Sequence, residues 1–443
     1  VTDHKRISKM PITLSFLLFL LSFTLLLLGF TASHKFDTID DSSGSTTSQY
    51  IGLSVAAWHQ EIEIYFTGKL LEKNGSSKGL GLVEPALHGE FKFAGKFPLK
   101  FNPDLSNFNI SYRPYLSSPG LLTDTALLLF KAGTLIGVSS WFLLFLLYGL
   151  NLLFNIFFIY LLLVFISEHV SRKRGLIATV FLVFSPWIIL DSLSIMWSPV
   201  VRFGGICLLL FCWWHKKIQL SSKFTFWLIT FGLVISSFNG FEFFFFQLAI
   251  LLMPMSILFY KDQYLVTLKR WAKVSLTATI TSFFIWYLVV LVNVGNFYEA
   301  GKVLFFTFFK HSLFRSGTAP IEAVASGDSH LPIFSGLIKL LTGMSVLLPY
   351  PFPESLIAIL GISLPFLVFI QHITNFVSIA ALLLIFSRQH TVKFSLSISL
   401  LFFCLTAIAT NSYVFNHPHH MPPVLLFYLI FYSVIQFRPL RVL

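Results

Sequence analysis

The chain predicts an all-α polytopic membrane protein with about ten transmembrane helices. Three observations carry that reading. Only 11% of the 443 residues are charged, whereas a soluble domain is about a quarter charged. Hydrophobic residues make up 56%, Phe alone contributes 53, and the mean hydropathy is +0.79. Uncharged stretches long enough to cross a bilayer recur along the chain, with short basic segments between them. Such a chain cannot cover a soluble surface with polar groups, which excludes a soluble enzyme. Lipid offers no water to the backbone, so each crossing is expected to be a helix of ~20 apolar residues.

The elements follow in order. Residues 1–33 hold a short N-terminal segment and the first span, whose uncharged stretch is 10–33. Thr31-Ala32-Ser33 would suit a signal-peptide cleavage site. The apolar core, however, is longer than the roughly 7–15 residues of such a segment, so the span is expected to be retained. Residues 34–139 form a first long outer loop with interfacial helices. Within it 48–73 reads as a helix, because Ile51, Val55, Trp58, Ile62 and Tyr65 recur at helical spacing behind a capping Ser48. Residues 88–118, punctuated by Phe and Pro, read as mostly extended. Residues 121–131 read as an interfacial helix marked by Asp124 and Lys131. Spans two to seven occupy 140–296, near 140–167, 175–191, 194–214, 224–241, 243–260 and 274–296. A second outer loop takes 297–355, with a re-entrant or interfacial apolar stretch at 335–348. The last three spans lie within 356–443. One is near 356–387, and two share the uncharged stretch 394–437, parted by turn-forming residues at 411–423.

Sidedness comes from Lys and Arg in short loops. The basic clusters Lys5/Arg6/Lys9, Arg172/Lys173/Arg174, Lys216/Lys217/Lys223, Lys261/Lys269/Arg270/Lys273, Arg388/Lys393 and Arg438/Arg441 fall in alternate loops, accompanied by only Asp3, Glu168 and Asp262. Both termini are therefore expected in the cytoplasm, in the plasma (inner) membrane, and the net charge of +12 is an orientation signal rather than a sign of nucleic-acid binding. Cys207, Cys212 and Cys404 lie in apolar runs, without zinc spacing or a disulfide framework. The sequence has no phosphate-cradling Gly-rich loop, dinucleotide fingerprint, zincin motif or nucleophile elbow, which weighs against a nucleotide-driven enzyme.

Candidate chemistry sits on the outer side. Asp40 and Asp41 are adjacent carboxylates just past the first span. Such a pair can share a proton or hold a divalent cation, and one member can act as a general base. Arg202, in Trp197-Ser198-Pro199-Val200-Val201-Arg202-Phe203-Gly204, lies inside the fourth span, where a guanidinium is costly and needs a partner or a ligand. A lipid-linked phosphate would pair with it through two parallel hydrogen bonds. Snorkelling to the outer interface is the alternative. Glu242, in Asn239-Gly240-Phe241-Glu242, enters a helix at its positive end. His417, His419 and His420 cluster between the last two spans and can donate to phosphate, relay protons or bind metal, although Pro418 breaks helical ligand spacing. Tyr112, Arg113 and Tyr115, in Ser111-Tyr112-Arg113-Pro114-Tyr115, offer rings to stack on a sugar and a cation to hold phosphate; interfacial anchoring is the equal alternative.

This layout resembles the GT-C class of membrane glycosyltransferases. These have one span after a cytoplasmic N-terminus, a long outer loop with interfacial helices, a seven-helix module, and then a second outer loop and a variable set of spans. The stretches 112–120, 197–204 and 240–242 look like those of bacterial membrane proteins of this general sort. The resemblance implies transfer of a sugar from a polyprenyl-phosphate or polyprenyl-diphosphate carrier to a glycan, lipid or protein acceptor on the outer side, with inversion. An acid early in the first outer loop is the base of that class, and Asp40 and Asp41 occupy the place. Arg or His would neutralise the departing phosphate. Two alternatives stay open. One is a polysaccharide polymerase or ligase of the O-antigen type, which relies on Arg-rich outer loops. The other is a lipid or polysaccharide flippase, which needs a charge-lined path through the bundle.

Overall fold

The computed structural model of this chain describes residues 83–88, 109–114, 140–169, 198–215, 218–238, 240–259, 264–316 and 390–409, with isolated positions between 125 and 138 and at 424 and 431. The regular elements among the described residues are helices apart from one antiparallel pair, β1 (Val83–His88) with β2 (Asn109–Pro114). The pair qualifies the all-α expectation. It falls in the first long loop, at the edge of and within the stretch expected to be extended, and its register sets Glu84 opposite Arg113 and Pro85 opposite Tyr112. Each strand carries a proline, Pro85 and Pro114, a residue that sheets confine to edge strands such as these.

Eight helices follow among the described residues: α1 (Ser140–His169), α2 (Pro199–Arg202), α3 (Gly204–Trp214), α4 (Lys223–Ser237), α5 (Phe241–Leu258), α6 (Tyr264–Val294), α7 (Phe297–Ser316) and α8 (His390–Ala409). Two of them, α1 and α6, are long and apolar enough to cross a membrane, while α3, α4 and parts of α5 and α8 are shorter apolar helices. At 30 residues α1 is about 45 Å long, more than the ~30 Å of a hydrocarbon core.

Local chemistry sets the ends. Ser222 caps α4, its Oγ accepting from Thr225 N–H at 3.2 Å. Gly240, at φ +126°, makes the sharp entry to α5, a conformation a side chain would strain. Gly295 (φ +75°) and Asn296, whose Oδ1 accepts from Tyr298 N–H and Glu299 N–H, turn α6 into α7. Pro254 lies inside α5. In the turns before it, Trp271 Nε1–H donates to the Leu248 carbonyl at 2.9 Å and Ser399 Oγ to the Ala249 carbonyl at 2.5 Å, tying α6 and α8 to α5.

The core runs through α1, α3, α5 and α6, with Phe158, Phe165, Leu209, Phe244, Phe246 and Trp286 fully enclosed. The outward faces are apolar too. On α6 the exposed residues Leu276, Ile280, Phe284 and Leu288 repeat every fourth position, and on α4 Phe224, Trp227 and Phe231 do the same at helical spacing.

The structure revises three expected boundaries. Within the span expected at 194–214, the described residues from Ser198 on form a broken helix, α2 and α3, parted at Phe203. The helix expected at 274–296 begins at Tyr264, so Lys269, Arg270 and Lys273 are helical rather than in a loop; the backbone keeps its ladder where the side chains turn polar. Arg270 lies over the Phe259 ring at 4.9 Å. Residues 297–316, expected within the second outer loop, form α7, packed on α6. The expected spans at 10–33, 175–191 and 356–387, and the turn at 411–423, lie outside the described residues.

Candidate functional site

The break between α2 and α3 is the polar centre of the described bundle. A helix that stops at Phe203 (φ −112°, ψ 30°) and restarts leaves backbone groups without their usual partners. In an apolar interior each of these is costly until something bonds it. Three neighbouring helices supply the partners. From α1, Asn155 Oδ1 accepts from Val200 N–H at 2.9 Å, and its Nδ2 donates to Ser198 Oγ at 2.8 Å and to the Asn151 carbonyl at 3.0 Å. From α4, Ser236 Oγ accepts from Gly204 N–H at 3.2 Å. Its own hydrogen lies between the Val201 carbonyl at 2.6 Å and the Gly232 carbonyl at 2.9 Å. From α5, Gln247 Nε2 donates to the Arg202 carbonyl at 2.7 Å and to Ser236 Oγ at 3.0 Å.

Glycine makes this approach possible. A Cβ on Gly232 would stand 2.5 Å from the Gly204 carbonyl oxygen, and one on Gly204 would stand 2.6 Å from that of Gly232. The backbones of α3 and α4 therefore touch where no side chain separates them, in the manner of small-residue contacts between membrane helices.

Arg202 sits at the end of α2 with 1% of its surface exposed. A snorkelling arginine carries its head to water, whereas this guanidinium is enclosed, with Cζ 4.3 Å from the centre of the Phe243 ring. Phe243 and Gln247 are one turn apart on α5. Together they hold the head and the carbonyl of the same residue. Arg remains charged at any working pH, and in a low-dielectric interior its attraction for an anion is far stronger than in water.

Of the residues singled out in the sequence, Arg202 is in this centre and Glu242 is in the first turn of α5, next to Phe243. Tyr112 and Arg113 lie on β2. Asp40, Asp41, Tyr115, His417, His419 and His420 fall outside the described residues, and with them the divalent-cation site considered on the paired aspartates. The residues that sequence reasoning missed are Asn155, Ser236, Phe243 and Gln247. Their signal was present. Asn151 and Asn155 stand at helical i, i+4 spacing in an uncharged run. Gln247 interrupts a Phe-rich one, and Gly232 and Ser236 form a small-residue pair four apart.

The chain matches no family model, no curated protein and no solved structure.

Proposed function

We propose that the chain is a multi-pass protein of the plasma (inner) membrane. It would transfer a sugar from a polyprenyl-phosphate or polyprenyl-diphosphate carrier to a glycan, lipid or protein acceptor on the extracytoplasmic side. The observation that carries this reading is Arg202: a permanent cation enclosed at the break of an apolar helix, held at its head and at its carbonyl. A buried guanidinium in such a setting suits a phosphate attached to an apolar chain, since the lipid tail stays in the bilayer while the phosphate is drawn to the fork. The apolar stripes on α4 and α6 support the membrane setting, because they would meet acyl chains rather than water.

In this mechanism Asp40 or Asp41 removes the acceptor's proton and the acceptor oxygen attacks the anomeric carbon. The carbon–oxygen bond to the carrier phosphate breaks, and Arg202 receives the charge that grows on that phosphate. In the same reading His417, His419 and His420 would also donate to that phosphate, Glu242 would take part in substrate binding, and Tyr112, Arg113 and Tyr115 would hold the sugar. An electrostatic contact that strengthens as charge develops accelerates the reaction rather than merely binding the donor.

The test is transfer from a radiolabelled polyprenyl-phosphate hexose by the full chain in nanodiscs. Asp40→Asn and Asp41→Asn keep shape and remove basicity. At least one should lower the rate 10²–10⁴-fold, the usual range for a general base. Full transfer by both variants and by the double variant would remove these residues from the mechanism. No transfer from any polyprenyl-linked sugar, under conditions where the chain is folded, would overturn the activity.

A further inference from the structure

Phe243 and Gln247 are held in a way that packing alone does not explain. A leucine at 247 would fill the same space and bring no polar atoms into the interior. Gln247 is instead fully buried, with Nε2 committed to the Arg202 carbonyl and Ser236 Oγ, while Oε1 has no hydrogen-bond partner. A buried acceptor left open in this way is unfavourable, so the amide is set by what its other end holds. That end fixes the last carbonyl of α2, from which the Arg202 side chain departs. One turn earlier on the same helix, the Phe243 ring lies under the guanidinium. Stacking against the ring sets the plane of the guanidinium and with it the direction of its N–H groups. One turn of α5 thus determines both where Arg202 starts and the plane in which its head lies.

We propose that Phe243 and Gln247 are positioning residues that aim Arg202 at an anionic phosphate. The proposal rests on the carrier-phosphate reading above and adds to it the device that sets the geometry of that contact. Ser236 completes the device by bonding the preceding carbonyl, Val201, and the Gln247 amide together.

The experiment measures binding of a polyprenyl monophosphate by the full chain in nanodiscs and records thermal unfolding of each variant beside it. Arg202→Lys keeps the charge and loses the planar fork, and should bind at least about tenfold more weakly. Phe243→Leu should weaken binding about tenfold, the scale of a desolvated cation–ring contact, with a much smaller effect on unfolding. Gln247→Met should weaken binding to a similar degree while also lowering stability, because the Arg202 carbonyl loses its partner. Phe243→Tyr, which keeps the ring, should bind as the wild type does. In the Arg202→Lys background neither Phe243→Leu nor Gln247→Met should weaken binding further, because no fork is left to aim. Equal losses in both backgrounds, or undiminished binding by Phe243→Leu and Gln247→Met, would overturn the positioning role while leaving Arg202 its phosphate. Undiminished binding by Arg202→Lys would overturn the positioning role, because no fork then needs aiming, and undiminished binding by Arg202→Gln, which removes the charge, would overturn the carrier-phosphate reading with it. Should Gln247→Met not fold, the Phe243→Leu and Phe243→Tyr pair decides the matter alone.

Discussion

The helices α1 and α6 have the same apolar character and opposite duties. In the apolar segment of α1, 61% of residues are buried inside the molecule; in that of α6, 39% are. Their polar groups differ in the same sense. On α1, the Asn155 amide bonds Ser198 and Val200, in another segment of the chain, as well as the Asn151 carbonyl on its own helix. On α6, Trp271 reaches α5 near the helix start, but further along Thr279 Oγ1 donates to the Ser275 carbonyl and Asn293 Nδ2 to the Val289 carbonyl, one turn back on the same helix. A polar side chain that bonds its own helix lets the helix turn an apolar face outward, whereas one that bonds a neighbour ties two segments together. The inner seam at the break between α2 and α3 is therefore specified by geometry. The outer face of α6 is specified only by being apolar.

Three substitutions would break or sharpen that contrast. The largest effect is expected at Gly232, where α3 and α4 touch through their backbones. Gly232→Leu must push the helices apart and should destabilise the chain by at least about 3 kcal/mol, seen as loss of the folded species in detergent. Near-normal unfolding would mean that the seam is loose. Next comes the outer face. Ile280 lies near the middle of α6 and is 62% exposed. Ile280→Lys should cost about 2.5–3.5 kcal/mol of insertion if this face meets lipid at mid-bilayer, whereas Ile280→Ala should change little. Membrane-integration yields of the two variants would measure this, and equal yields would place the face in water or against another surface. The smallest effect is expected for Asn155→Leu, which removes the bonds to Ser198 and Val200. Hydrogen bonds between membrane helices are worth about 1–2 kcal/mol at most, so a modest drop in thermal stability should follow. A drop as large as that at Gly232 would show that α1 holds the break more firmly than its bonds imply.

Among the described residues much of the helical layout was legible in the sequence, because charge and turn residues punctuate it clearly. Lys223 and the Asn239-Gly240 pair bound α4, Gly240 opens α5, and the run from Ser140 to Ser167 carries no charge. The start of α6 was not legible. Lys269, Arg270 and Lys273 look like a loop to a reading based on hydropathy, yet a helix needs only its backbone ladder and can carry charged turns beyond its apolar part. The break at Phe203 was half legible. Pro199 and the Gly204-Gly205 pair advertise an irregular segment, but the partners that make it tolerable, Asn155, Ser236 and Gln247, lie between 32 and 45 positions from the backbone groups they bond and announce nothing about whom they will meet. Arg202 was legible as an anomaly, since its cost in an apolar run demands an explanation wherever it points. The ring beneath it was one Phe among 53.

The bond from Ser399 to the Ala249 carbonyl has a consequence in time. Its partners are 150 residues apart in the chain. At the roughly 5–20 residues per second of synthesis, α5 is made some 8–30 s before the hydroxyl that bonds it exists. During that interval the α5 turns ahead of Pro254 have the Trp271 donor from α6 but not the one from α8. A chain arrested before α8 would carry Asn155, Arg202, Ser236, Phe243 and Gln247 without the Ser399 tie on α5.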